Sequence, residues 1–381
     1  MAEPGLSDGP LPARSRSAGR PVPVVLVGAG KVAHAAHLRE VRDLPGELRL
    51  AAVVETDPRH VGALRHSGFG GVPVCGSAEE AVRAGARGAL VCTPWWTHRE
   101  VVAECLAAGL PVLCEKPVSL DPAEIDELAA AERRTGLPVA AGYMKRHDPV
   151  VRLFVDHCRD RLDQARRFTV DIHDPNAPHQ VAHLVPYDPP PFGPQPPPAR
   201  EALARALGPG STGAQREAYA RGLGGSLIHQ VNLVHAALAG SGRELYGSLL
   251  HADLWAGGAG VSCRWRPDDA LLVDMTHQRL PKHRRYREVL EFTAEDGVAT
   301  LTLPSPWARD EAATLTVESW DAGRGLAERR VHTAEPGHTG FRRQLMAWAR
   351  QLSGEGDTAL PGLADVRQDA RAVREAALRL S

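Results

Sequence analysis

Short apolar runs alternate with helical stretches along residues 22–143. VPVVLVG, LRLAAVVE, GALVCTP, PVLCE and LPVAAGY are β-type runs, apolar almost throughout. Between them, KVAHAAHLREVRD, DPRHVGALRHS, THREVVAECLAAG and DPAEIDELAAAERRTG carry their apolar residues at helical spacing. Apolar strands alternating with helices predict βαβ units on a parallel sheet buried on both faces. The last of these helices has its punctuation written out: Asp121 as N-cap, Pro122 at the first position and Gly136 at the exit.

From about residue 165 the period changes. RRFTVDIH, ELYGSLLHADLWA, GVSCRWR, ALLVDMTHQ, YREVLEFTAEDGVATLTL and TLTVESW alternate partly with period two, and Gly-containing turns separate several of them. They predict an antiparallel sheet in a second domain. A helix-rich stretch around 223–239 precedes most of these strands. FRRQLMAWARQLS and ADVRQDARAVREAALRL close the chain as helices expected to pack back on the first domain. The implied division is a disordered tail over 1–20, rich in Pro, Gly, Ser and Arg; a Rossmann domain, 21–143; a substrate and oligomerisation domain, 144–335; and C-terminal helices, 336–381. Residues 174–213 include DPPPFGPQPPP and hold many of the 31 prolines. They read either as a surface loop stiffened by polyproline geometry or as a lid or subunit contact near a substrate cleft.

Composition removes several classes of function. Apolar residues make up 43% and charged residues 24% of the 381, ordinary values for a folded chain with a sizeable core. The formal net charge of −1 supplies no overall field for nucleic acid or an anionic membrane. The six cysteines form no C-x-x-C pair and mostly sit in apolar runs. They are expected to be buried, reduced thiols of a cytoplasmic protein, with no disulfides and no metal site. VPVVLV is far too short to cross a bilayer and is better used as a first strand than as a signal peptide.

Three motifs carry chemistry. Gly28-Ala29-Gly30-Lys31-Val32-Ala33 follows the first strand and opens the first helix. Its first glycine permits a tight turn, its second lets backbone approach a pyrophosphate, and its small last residue lets helix and strand pack closely. The second strand ends in Glu55, an acid placed to accept hydrogen bonds from ribose hydroxyls and to repel a 2′-phosphate, so NAD is favoured over NADP. Thr93-Pro94-Trp95-Trp96-Thr97-His98 ends another strand on the ligand-binding side of such a sheet. His98 there either shapes a nicotinamide pocket or simply starts a helix. Cys114-Glu115-Lys116-Pro117 ends the next strand and delivers Lys116 to the same crevice. Partial burial would bring its pKa toward ~7–8, where a lysine exchanges protons at neutral pH.

These motifs, together with GYMKRHDP at 142–149, resemble the Gfo/Idh/MocA family (glucose–fructose oxidoreductase, inositol dehydrogenase, rhizopine catabolism). The resemblance is strong in the first domain and weaker after residue 150. It implies a Rossmann domain followed by an α/β domain with an open, mostly antiparallel sheet, a nicotinamide cofactor between them, and homodimers or homotetramers built on the open sheet. It implies interconversion of a secondary alcohol and a ketone on a sugar, cyclitol or related polyol. By motif position Gly28, Gly30, Lys31, Val32, Glu55, Thr93, Pro94, His98, Glu115 and Lys116 are the cofactor residues, with Lys116 also assisting proton transfer. Tyr143, Arg146 and His147 would line the substrate cleft.

Two departures stand out. Trp95 replaces the asparagine usual after Thr-Pro. The D-x-x-x-H pair that handles the substrate hydroxyl in many members is absent from Gly224–His235. His229 and Asn232 are three apart and share a helix face, so His229, with Gln230 or Asn232, is the candidate for the vacated place. Two further functions stay open on these residues: an enzyme that oxidises transiently and returns the hydride, and an NAD-binding sensor without turnover.

Overall fold

In the computed structural model, residues 20–175, 180–187, 195–321, 323–337, 339–355 and 360–381 are described. Six strands, β1 (Val22–Val27), β2 (Leu48–Val54), β3 (Val74–Cys75), β4 (Ala89–Val91), β5 (Val112–Glu115) and β6 (Val139–Gly142), form a parallel sheet in the order β3-β2-β1-β4-β5-β6. Residues on β4, β5 and β6 are buried without alternation because helices cover both faces. The strand order reverses direction between β1 and β4, which opens a crevice at their carboxyl ends.

The helices of this layer are α1 (Leu38–Asp43), which continues a π-helical turn at Ala33–His37, α2 (Pro58–Ala63), α3 (Ala78–Arg83), α4 (His98–Ala107) and α5 (Pro122–Thr135). Helix α5 starts with Asp121 accepting from Ala123 N at 3.0 Å. It stops at Gly136, whose φ of 68° suits a residue without Cβ.

The second sheet has eight strands: β7 (Ala165–Asp174), β8 (Leu249–Trp255), β9 (Gly260–Trp265), β10 (Leu272–Arg279), β11 (Arg287–Ala294), β12 (Gly297–Leu303), β13 (Thr314–Asp321) and β14 (Leu326–Thr333). Their order is β14-β13-β12-β11-β7-β10-β9-β8, antiparallel except for the β7–β10 pair. Phe168, Val170 and Ile172 on β7 and Leu290 and Phe292 on β11 share the buried face, and Phe168 meets Phe292 at 4.8 Å between ring centroids. Helix α6 (Pro149–Asp160) leads into this sheet.

The 174–213 segment differs from a polyproline loop. It contains α7 (Pro197–Leu207), and α8 (Gly213–Glu217) follows directly. Pro197 and Pro198 fall in the first turn, where no N–H is needed, and Ala199, Ala202, Leu203, Ala206 and Leu207 then bury one helix face. Residues 188–194, which include most of DPPPFGPQPPP, lie outside the described residues, as do residues 1–19 of the expected tail. The strand expected over ELYGSLLHADLWA begins only at Leu249.

A π-helical segment, Ala218–Leu227, runs directly into α9 (Ile228–Leu238). Its glycines permit the domain contact. A Cβ on Gly224 would stand 2.3 Å from Leu120 Cδ2, just beyond β5. Tyr219 adds a hydrogen bond from its hydroxyl to Leu120 O.

The chain closes with α10 (Gly340–Leu352) and α11 (Leu363–Arg379). Leu345 and Trp348 of α10 are fully buried with Leu26, Leu90 and Leu113 of the parallel sheet. Pro361 O accepts from Ala141 N at 2.8 Å and covers the free edge of β6. Helix α11 packs on α5 and α9 and so touches both domains. Truncating Trp348→Ala is expected to cost ~3–5 kcal/mol in denaturant unfolding of the parallel-sheet domain. A change below ~1 kcal/mol would mean that α10 is not part of that core.

Candidate active site

The glycine turn is shaped by its neighbours. Gly28 has φ +85°, and a Cβ there would lie 2.8 Å from Thr93 N, so only glycine fits between β1 and the Thr93-Pro94 turn. Gly30 faces open space, with His60 Cε1 the nearest atom to its missing Cβ at 4.0 Å. Lys31 and Val32 follow, both partly buried. Burial lowers the Lys31 pKa and the Asp174 charge opposes that shift.

Glu55 closes the far side of the turn. Its Oε2 accepts from Ala29 N at 2.7 Å and faces His60 Nδ1 at 3.2 Å. Its Oε1 accepts from Thr56 N at 2.7 Å and Asp57 N at 2.8 Å. A carboxylate only accepts, so the His60 contact places a proton on Nδ1. Asp57 holds Arg59 through Nη2 at 2.6 Å, which turns that guanidinium to its own carboxylate. The space over Gly30, the free helix start and the acid at the end of β2 fit a dinucleotide. From the second domain, Tyr187 reaches over this cradle, with its ring 5.0 Å from His60 and 5.7 Å from His34.

Lys116 leaves β5 into the crevice, and its peptide to Pro117 is cis. Its Nζ donates to Gly225 O at 2.5 Å, a carbonyl of the π-helical segment. Burial lowers its pKa to about 8; Lys145 and Lys31 push the same way, while Glu115 and Asp174 oppose. Roughly a tenth of such a lysine is neutral at pH 7, against about 0.03% at the ordinary pKa.

Two neighbours of Lys116 do not face the cofactor as expected. His98 is buried, with its ring nitrogens 2.8 Å from Pro117 O and 2.8 Å from Thr93 O. It ties the β4 and β5 turns together from behind, so it shapes the pocket only through the backbone. Glu115 turns the opposite way, as alternate strand residues must. Its Oε1 meets His37 Nε2 of the π-helical turn at 2.7 Å, in a pair almost closed to solvent.

The second domain supplies a cluster that motif reading did not find. Glu288 on β11 is fully buried, and its carboxylate takes Lys145 Nζ at 2.7 and 2.6 Å. The Gln230 amide and the Tyr286 hydroxyl also donate to it. Gln230 is therefore committed to Glu288 and is wholly buried, out of reach of a substrate. Asp369 on α11 is equally buried and takes Asn232 Nδ2 at 2.8 Å and His235 Nδ1 at 2.6 Å. Tyr143 is buried against the same carboxylate, and burial raises its pKa. Asn232 and Tyr143 thus support the cleft rather than line it. Arg146 donates to Asn232 Oδ1 at 3.2 Å, and Arg146 and His147 open into a cavity behind the cleft, between α6 and α10.

His229 remains in the place vacated by the missing pair. It packs edge-on to Tyr143 at 5.9 Å, and its Nδ1 has no partner among the described residues. Burial and the Lys116 and Lys145 ammonium groups push its pKa well down, so the ring is neutral. Asp174, at the end of β7, is part-exposed at 24% and lies 3.8 Å from His277 Nε2.

The missed residues do carry a signal in register. Asp174 continues the Phe168, Val170, Ile172 face, and Glu288 continues the Leu290, Phe292 face. A charge in an apolar stripe marks a buried pair or a cleft edge.

Residues 22–143 match the family described as "Oxidoreductase family, NAD-binding Rossmann fold" (GFO_IDH_MocA). The match spans the N-terminal domain and less than half of the chain. The inositol 2-dehydrogenase of Streptomyces avermitilis is 36% identical over 128 residues, covering 33% of this chain and 36% of that protein. The rhizopine catabolism protein MocA of Rhizobium meliloti is 33% identical over 138 residues, covering 36% and 42%. The chain thus matches less than half the length of these curated relatives.

Solved structures extend the likeness of fold across both domains. KijD10, a 3-ketoreductase from Actinomadura kijaniata in complex with NADP and TDP-benzene, superposes with a TM-score of 0.69 at 20% identity, covering 94% of this chain and 98% of that one. A putative NADPH-dependent oxidoreductase from Desulfitobacterium hafniense reaches 0.70 at 13% identity, covering 94% and 95%.

Two outcomes follow. Gly28→Ala is expected to abolish dinucleotide binding measured by calorimetry while the second domain stays folded. Trace acetylation of Lys116, followed by mass spectrometry against pH, should show a midpoint near 8. A midpoint above 10 would remove the buried environment assigned to it.

Proposed function

We propose that the chain is an NAD(P)-dependent oxidoreductase that interconverts a secondary alcohol and a ketone on a sugar, cyclitol or related polyol. The observation that carries this reading is the position of Lys116. A lysine with its pKa lowered to about 8 sits between the dinucleotide cradle and His229. The named activities of the inositol 2-dehydrogenase and 3-ketoreductase relatives support the same class of substrate.

A bound nicotinamide would accept or return the hydride at C4. Gly28, Gly30, Lys31 and Val32 would hold the pyrophosphate side, Glu55 the ribose, and Thr93, Pro94 and Lys116 the nicotinamide end. In oxidation, neutral Lys116 takes the proton from the alcohol oxygen. In reduction, its ammonium returns that proton. Neutral His229 gives or accepts a hydrogen bond at the same oxygen without adding charge. Asp174 is the accessible carboxylate near Lys116 and suits a second substrate hydroxyl.

NAD is the favoured cofactor. A 2′-phosphate would meet the Glu55 carboxylate, and Arg59, the nearby guanidinium, is already bound by Asp57. The relatives with NADP differ enough in sequence that their choice does not transfer. Among the described residues no helix is long and apolar enough to cross a membrane, and no group of His, Cys, Asp and Glu is placed to hold a metal. The proposed setting is the cytoplasm, with copies of the chain pairing through the uncovered face of the eight-stranded sheet.

Calorimetric titration of NAD, NADH, NADP and NADPH, with Glu55→Ala as comparison, comes first. Tight NAD(H) binding weakened by that substitution supports the cofactor assignment; no binding by any of the four sinks the dehydrogenase reading. A polyol and keto-sugar screen then follows, beginning with myo-inositol. Lys116→Met should lower kcat ~10²–10⁴-fold at saturating dinucleotide. Oxidation should rise with pH through about 8, and reduction should fall over the same range. Turnover without net NADH change would instead assign transient oxidation.

A further inference from the structure

Behind the substrate cleft, α6, α10 and the turn at Arg146–His147 line a solvent-open cavity of about 360 Å³, with Arg152, Asp156 and Arg159 exposed at its mouth. Five arginines line it: Arg146, Arg152, Arg159, Arg343 and Arg350. Among the described residues of its wall Asp156 is the one carboxylate, held by Arg159 at 3.0 Å; Arg159 also donates to Ala236 O, and Arg146 lies 4.0 Å from Asp365 outside the wall. The side chains of Arg152 and Arg350 make no hydrogen bond or ion pair with any described residue. His147 contributes a buried Nε2 that also lacks a partner. Burial, with the Arg146 and Arg152 charges adding to it, pushes the His147 pKa down to about 4. Arg152 and Arg350 bring guanidinium charge to the cavity that no described carboxylate answers, and an anion there relieves it.

We propose that this cavity is an anion site separate from the dinucleotide cradle, and that it takes a small phosphorylated compound carrying two or more negative charges. None of its lining residues belongs to the glycine turn, to the β2 end or to the Lys116 turn. Guanidinium forks match pairs of phosphate oxygens, and several forks around one cavity suit more than one anionic centre. The neutral His147 can add a donor. Val151, Val155 and Met346 give the wall an apolar portion for the carbon skeleton of such a compound. The volume falls within the range of small-molecule sites, roughly 300–1,000 Å³. Arg146 also holds Asn232 on α9, three residues beyond His229, so occupancy here touches the support of the cleft.

The test is calorimetric titration of the full chain with inorganic pyrophosphate in phosphate-free buffer at low salt. Saturable binding is expected, and it should persist when NAD is present to fill the dinucleotide cradle. The double substitution Arg152→Gln and Arg350→Gln should weaken it roughly tenfold or more. Lys31→Ala, at the dinucleotide cradle, should leave it unchanged. Absence of saturable binding would overturn the proposal, and so would binding that Lys31→Ala removes and the arginine substitutions spare.

A second measurement needs no variant. Pyrophosphate should protect Arg152 and Arg350 from phenylglyoxal modification followed by mass spectrometry. Equal modification with and without pyrophosphate would also overturn the site. Both readouts are independent of dehydrogenase turnover, so the two readings stand or fall separately.

Discussion

The contact between the domains that the site depends on is glycine-lined. Gly224 in the π-helical segment presses on Leu120 just beyond β5, where no side chain fits, and the next carbonyl, Gly225 O, takes the Lys116 ammonium. That contact brings the helix carrying His229 against the carboxyl end of the parallel sheet. It also gives the Lys116 ammonium a carbonyl partner while withdrawing it from water. Had a larger residue stood at 224, α9 would ride outward and the lysine would regain solvent, which raises its pKa.

Around that contact the carboxylates are sorted by burial. Glu115 is closed off with His37, Glu288 with Lys145, and Asp369 with Asn232 and His235. A buried carboxylate is costly unless a cation or several donors answer it, and each of these has such partners. The result is a rigid polar frame whose charges are largely spent within it. Lys116 sits inside the frame but is answered chiefly by a neutral carbonyl, which is why desolvation dominates its titration. Asp174, at the edge of the second sheet, keeps its exposure and marks where the cleft meets solvent.

The first domain was legible because its signals are local. A glycine turn between a strand and a helix, an acid at the end of β2, and lysine at the end of β5 each declare themselves within a few residues. Register carried part of the second domain as well, since the β7, β10 and β11 patterns alternate as observed. Motif position misjudged the orientation of side chains. His98 and Glu115 lie at the right strand ends, yet one points behind the turn and the other to the opposite face. Gln230 and Asn232 share the helix of His229, yet their partners are Glu288 and Asp369, far away in sequence and invisible to any spacing rule.

By itself the sequence determined the parallel sheet, the antiparallel sheet, the dinucleotide turn and the placement of Lys116, because strand period, helix punctuation and glycine conformation act over short stretches of chain. Only the tertiary structure decided which polar groups face the cleft and which brace it, and where the arginines of α6 and α10 converge. Those outcomes depend on burial and on pairs brought together from distant segments, and a buried charge selects its partner by proximity after folding.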